Sequence, residues 1–98
     1  MTRWEVERQD GGITDVMRVN ILSIIGTSID THGTSQMFKI ADEVRGWLDA
    51  TYGNTWGVAI GETSKYECAF IPYGGKFLRL KETKLGWTIK IYQQCPNQ

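Results

Sequence analysis

By type, His32, Cys68 and Cys95 are the residues of this chain best suited to nucleophilic or metal chemistry, and their spacing supports neither. A thiol nucleophile needs an imidazole within hydrogen-bond reach, and nothing in the placement of the single histidine argues for pairing it with either cysteine. Structural zinc takes about four Cys or His ligands, which these scattered candidates cannot supply. An EF-hand loop requires oxygen ligands at alternating positions, a central glycine and a closing glutamate. The segment Asp30-Thr31-His32-Gly33-Thr34 fails that pattern, and no other stretch comes closer. Gly53, Gly57 and Gly61 recur every four residues without the Lys-Ser/Thr of a phosphate loop, so a turn and a strand account for them better. With no acid, base and nucleophile to assemble, the expectation is a protein that is not an enzyme and holds no cofactor or metal. His32 then reads as a surface imidazole near a helix end, where a cation is favoured. Cys68, inside an apolar strand, and Cys95, beside Pro96, read as reduced thiols.

What remains is the chemistry of the backbone itself. A strand at the edge of a small sheet presents N–H and C=O groups that an extended peptide can satisfy, so binding by strand addition is the default expectation. Charge points the same way. Eleven basic residues balance eleven acidic ones, which leaves no sustained positive field for nucleic acid or an anionic membrane and favours a protein or peptide partner. No stretch approaches the roughly 18 apolar residues of a membrane span, and the N-terminus is polar where a secretion signal would place its apolar core. A cytoplasmic location is expected. The 98 residues, 1–98, form one domain, small enough for dimerisation to help bury its surface.

The elements that must position such an edge are legible in the periodicity. Trp4-Glu5-Val6-Glu7-Arg8 alternates apolar and polar residues as a half-buried strand does. From Asp15 to about Asp30, Met17, Ile21, Ile24, Ile25 and Ile29 recur at helical spacing, with Val16, Val19 and Leu22 widening the apolar face. Thr14 is the expected N-cap and Gly33 the left-handed stop. Thr34 or Ser35 is expected to cap a second helix, in which Met37, Ile40, Ala41, Val44, Leu48 and Tyr52 face inward. After the Gly53-Asn54 turn, Trp56–Ile60 reads as a strand covered on both faces. Strands over 66–71, 77–81 and 87–92, joined by short turns, then make an antiparallel meander, with Trp87, Ile89 and Ile91 toward the helices. The fold class is α+β, two helices packed on an antiparallel sheet.

The junction between the second helix and the strand after it carries a family resemblance. Asp49, Tyr52, Gly53, Asn54, Trp56, Ala59, Ile60 and Gly61 match in order the helix-to-strand signature of dynein light chains. The resemblance implies a strand-swapped homodimer, in which one strand crosses to the sheet of the other subunit and creates two identical grooves for linear motifs of disordered partner proteins, the dynein intermediate chain among them. By that resemblance the peptide groove comprises Met37 and Phe38 at the start of the second helix, Lys65, Tyr66, Glu67, Cys68, Ala69 and Phe70 on the crossing strand, and Phe77, Arg79 and Lys81 on the next. The dimer contact comprises Trp56, Gly57, Val58, Ile60, Tyr66 and Cys68. A motor-accessory role at the cytoskeleton follows. Arg79 and Lys81 depart from the family's aromatic groove floor and predict a taste for acidic ligands. Gly57 replaces the family's frequent histidine, so a pH switch at that contact is not expected.

Dynein-light-chain-like domains also form the C-terminal half of tegumental EF-hand calcium-binding proteins of flatworms. Both readings stand at the level of sequence: a free-standing peptide-binding hub, or a structural dimerisation module of a calcium-binding protein whose groove has diverged.

Overall fold

The computed structural model describes residues 4–53, 55–62 and 76–93. The expected strand over 66–71, with groove candidates Lys65–Phe70, the connection Pro72–Gly75 and Cys95, lies outside the described residues. In chain order the elements are β1 (Trp4–Gln9), α1 (Asp15–His32), α2 (Met37–Tyr52), β2 (Trp56–Glu62), β3 (Phe77–Glu82) and β4 (Trp87–Gln93). The four strands form one antiparallel sheet in the order β1-β3-β4-β2. The core lies between its one face and the two helices: Ile21, Ile25 and Ile29 of α1 and Ile40, Val44 and Leu48 of α2 meet Leu78, Leu80, Trp87, Ile89 and Ile91 of the sheet. The expected α+β architecture and the inward face of β4 are both present.

Local chemistry explains where α1 starts and stops. The Thr14 hydroxyl accepts the Met17 amide at 3.1 Å, and Gly33, at φ 85°, donates its N–H to the Ile29 carbonyl. The apolar face is narrower than expected, because Val16 and Val19 are 69% and 56% exposed. Val19 precedes Ile21 by two residues, which places it about 200° round the helix from the buried stripe. One member of that stripe is polar. Ser28 is fully buried and donates its hydroxyl to Glu43 Oε1 of α2 at 2.5 Å, while His32 Nε2 lies 3.3 Å from the same oxygen. His32 is therefore a partly buried bridge between the helices and not the free surface imidazole expected.

The second helix begins later than expected. Gln36, not Thr34 or Ser35, is the N-cap, and no side chain caps it. The Gly33–Gln36 turn closes on itself through the Gln36 amide and the Gly33 carbonyl, so the chain enters α2 from a turn that leaves neither hydroxyl at the cap. At the other end Gly53, at φ 87°, terminates the helix. Asp49 then bridges to the sheet: its Oδ1 accepts the Trp56 amide at 2.9 Å and its Oδ2 the Arg45 guanidinium at 3.2 Å. The Tyr52 ring sits between Trp47 and Trp56, with centroids 5.6 and 6.2 Å away.

Strand β2 also differs in part from expectation. Trp56 and Gly57 are buried, whereas Val58, Ala59 and Ile60 are only half-buried. Among the described residues β2 is an edge strand, and its far side has no neighbour to complete the cover. The β3–β4 hairpin turns on Glu82, whose carboxylate is fully buried and accepts the amides of Lys84 and Leu85, while Gly86, at φ 72°, donates to the Glu82 carbonyl. These donors compensate a charge that would otherwise be costly to bury.

The link between the helices has a pH signature. The Ser28 hydroxyl, with the His32 imidazole behind it, holds the Glu43 carboxyl below the ordinary glutamate range. A depressed folded-state value means the contribution is complete above the unfolded-state value and is lost as pH falls through the folded one. The expected outcome is a urea midpoint that declines on acidification through and below about pH 4.3, with a shallower decline for Glu43→Gln. Equal slopes for the two proteins would remove Glu43 from that role.

Candidate functional site

The two edges of the described sheet differ in chemistry. Strand β1 carries exposed Glu5, Glu7 and Arg8, and its pairing with β3 is broken by a bulge at Glu7, between the Val6–Leu80 and Arg8–Arg79 pairs. Charges and bulges are the usual defences of an edge against a further strand. Strand β2 has neither. From Trp56 to Gly61 it carries no charge, no proline and no break in its seven-pair register with β4. Its backbone is suited to accept another extended chain.

Beside this open edge runs the start of α2. Phe38 is 81% exposed, and with Ala41, Asp42 and Arg45 it faces Val58 across a shallow groove. These helix positions recur at three, four and seven residues, so they form one stripe on the helix surface. Arg45 is held at both ends, by Asp42 at 2.8 Å and Asp49 at 3.2 Å, and the Asp42 contact raises its basicity above the ordinary arginine value. Val58 and Ile60 stand on the helix side of β2 and pack against the core edge, and Trp56 is fully part of the core.

The expected site residues do not all come together. Phe38 lines the groove, whereas Met37 turns inward and packs against the core. Phe77, Arg79 and Lys81 share the opposite face of the sheet from the helices, since the residues between them, Leu78 and Leu80, are in the core. They belong to β3, separated from β2 by β4. Phe77 is buried beneath the Arg8 guanidinium, 4.5 Å above its ring, and Asp10 grips that guanidinium through two bonds of 2.8 and 2.9 Å. The pairing holds the Asp10 carboxyl below its ordinary range. Arg79 Nε lies 3.4 Å from Glu7 Oε1, and Lys81 pairs in register with Glu5. The acids of β1 thus already face the cations of β3. Ala41, expected to face inward, instead lines the groove, and sequence reasoning passed over Asp42 and Arg45, although their helical spacing from Phe38 was a usable signal.

Gly57 has a steric reason. A Cβ there would approach the Tyr92 ring to 2.5 Å, because Tyr92 of the neighbouring β4 lies over the bare backbone. The histidine frequent at this position in dynein light chains would require that ring to move.

Ser28, Glu43 and His32 do not form a nucleophile and base. The carboxylate stands between the other two and accepts the serine hydroxyl, so the imidazole is not placed to take the proton. Among the described residues no group of three His, Cys, Asp or Glu side chains is placed to hold a metal ion, and no helix is long and apolar enough to cross a membrane.

No family model matches the chain, and no curated protein matches it in sequence. Solved structures do match in fold. The dynein light chain-like domain of the Fasciola hepatica calcium-binding protein FhCaBP2, as a mercury derivative, superposes with a TM-score of 0.82 at 14% identity, covering 98% of this chain and 96% of that one. A native structure of the same domain gives 0.79 at 14% identity over 94% and 91%. The dynein light chain-like domain of CsTAL3 gives 0.76 at 12% identity over 96% and 95%. The fold of this chain is dynein light chain-like.

The Gly57–Tyr92 contact is testable. Gly57→Ala is expected to lower stability by about 1–3 kcal/mol, as overpacking does, and Tyr92→Leu in the same chain to recover most of that loss. Additive losses in a denaturant double-mutant cycle would show that the two side chains do not compete for the space.

Proposed function

We propose that this domain is a non-catalytic homodimeric interaction module that binds extended peptide segments by β-strand addition, in the manner its dynein light chain-like fold allows. The observation that carries this reading is the asymmetry of the edges: β1 is bulged and charged, while β2 is regular, uncharged to Gly61 and flanked by exposed Phe38. In this reading the strand over 65–70 of one subunit crosses to the β2 edge of the other. Short linear motifs of disordered proteins, the dynein intermediate chain among them, then pair beside it. Joining two such chains raises their effective concentration for each other, which suits a cytoplasmic, cytoskeleton-associated accessory role.

A second reading has its own support. Two of the matching structures are of a domain of a calcium-binding protein, which favours a structural dimerisation module of a protein of that kind, with weak or lost peptide binding. The engagement of Arg79 with Glu7 and of Arg8 with Asp10 over Phe77 adds to it, because the expected groove floor is occupied by contacts within the subunit.

Sedimentation equilibrium across a wide concentration range tests both. A dimer persisting at micromolar concentration is the expected result, and a monomer throughout would overturn both readings. Titration of that dimer with dynein intermediate chain peptides then separates them, saturable binding supporting the hub and its absence the structural module.

A further inference from the structure

Helix α1 is built from residues that favour another conformation. Between Arg18 and Asp30 the eleven residues 19–29 carry no charge and no proline, and six of them, Val19, Ile21, Ile24, Ile25, Thr27 and Ile29, are β-branched. Such side chains lose rotamer freedom against the preceding helical turn, and Gly26 adds a backbone penalty, so the run is a poor helix former. The second helix shows the contrast, with Lys39, Ala41, Glu43, Arg45, Leu48 and Ala50 all among the good ones. Taken two by two, Val19, Ile21, Ile25, Thr27 and Ile29 would share one face of a strand, and only Ser23 on that face is not β-branched.

What keeps α1 helical is the rest of the fold. Ile21, Ile25 and Ile29 are buried in the core, Ser28 donates to Glu43 of α2, and Asn20 donates its side-chain amide to the Tyr52 hydroxyl at 3.4 Å. Each of those partners lies outside α1, and without them only the Thr14 cap and the Gly33 stop still favour a helix. We infer that residues 19–29 are a latent β-strand: when α1 leaves its seat on α2, the run pairs with the same run of a second copy, and then of further copies, in a cross-β stack. High β-propensity, absence of charge and proline, and a single glycine meet the compositional needs of such a stack. Arg18 and Asp30 bracket the run, as charges commonly do where an aggregation-prone stretch must be retained. The uncharged residues 56–61 of β2 compete less well, with two glycines, Gly57 and Gly61, in a shorter run. Helical packing thus conceals a surface for self-association, and this inference does not depend on strand addition at β2.

The test compares two matched variants of the full chain, Thr27→Lys and Thr51→Lys. Both threonines are exposed on a helix, and both changes add the same charge, one inside the run and one in the last turn of α2. Each protein is held at the urea concentration that unfolds the same small fraction of it, which removes differences in stability, and assembly is followed by thioflavin T fluorescence. The wild type and Thr51→Lys are expected to assemble after similar lags. Thr27→Lys is expected to lag about tenfold longer, because stacking would place its like charges about 4.7 Å apart. Hydrogen exchange of the wild-type assemblies is expected to show protection at residues 19–29, and their diffraction a reflection at about 4.7 Å. Equal lags for the two variants would overturn the inference. Absence of a cross-β assembly would do the same, as would protection confined to another part of the chain, residues 56–61 included.

Discussion

A single carboxylate governs the geometry on which the rest depends. Asp49, in the last turn of α2, accepts the amide of Trp56 and so fixes how far from the helix axis the chain enters β2. Trp56 lies in the core with its ring 6.2 Å from that of Tyr52, and Val58 and Ile60 pack against the core's edge. The groove between Phe38 and Val58 begins two residues beyond this junction. A charged acceptor gives a stronger bond to a backbone N–H than a neutral one, and here it also holds Arg45, tying helix, turn and edge strand through one side chain.

The same economy appears where polar groups are buried. Ser28 and Glu82 are fully enclosed, and each is satisfied within a few ångströms: Ser28 by Glu43, Glu82 by the amides of the turn it precedes. Neither adds much net stability by exchanging water for protein. Their effect is on specificity, since a register slip in the β3–β4 hairpin would leave the buried Glu82 carboxylate without its donors, and a rotation of α1 would leave the buried Ser28 hydroxyl without its acceptor.

What the sequence disclosed follows the range of the interactions involved. Local signals were readable: the Thr14 cap, the Gly33 and Gly53 stops, the inward face of β4 and the Asp-to-Trp signature all depend on residues within about seven positions of one another. Misreadings arose where a distant element decided the outcome. Val16 and Val19 have apolar side chains yet face outward, because the buried stripe of α1 was fixed by Ile21, Ile25 and Ile29 meeting α2 and the sheet. His32 became a bridge because Glu43, eleven residues on, folds back against it. Of the candidate site residues, Phe38 lies beside Val58 of β2, whereas Arg79 and Lys81, placed with it by resemblance, lie on the face of β3 away from the helices. Period-two alternation in β3 gives their common face and says nothing of which strand lies at the edge. Strand order is a long-range property, and the arrangement β1-β3-β4-β2, together with the packing of the helices on the Leu78–Leu80 face, separates them from Phe38.

Identity of 12–14% over nearly the whole domain, with TM-scores of 0.76–0.82, means that the fold tolerates replacement of most side chains. The parts that cannot vary independently are those where one residue occupies the space another would need. Gly57 and Tyr92 are such a pair: a side chain at 57 would meet the end of the Tyr92 ring, so one there requires that ring to shift or be replaced. Arg8, Asp10 and Phe77 form a coupled trio, in which the cation that covers the ring is itself held by a carboxylate two residues away. Both groups sit on the outer face of the sheet, away from the helices. Divergence of that face is therefore concerted, and an aromatic floor there could not be regained by changing Arg79 and Lys81 alone, because Glu5 and Glu7 would then be left facing apolar rings.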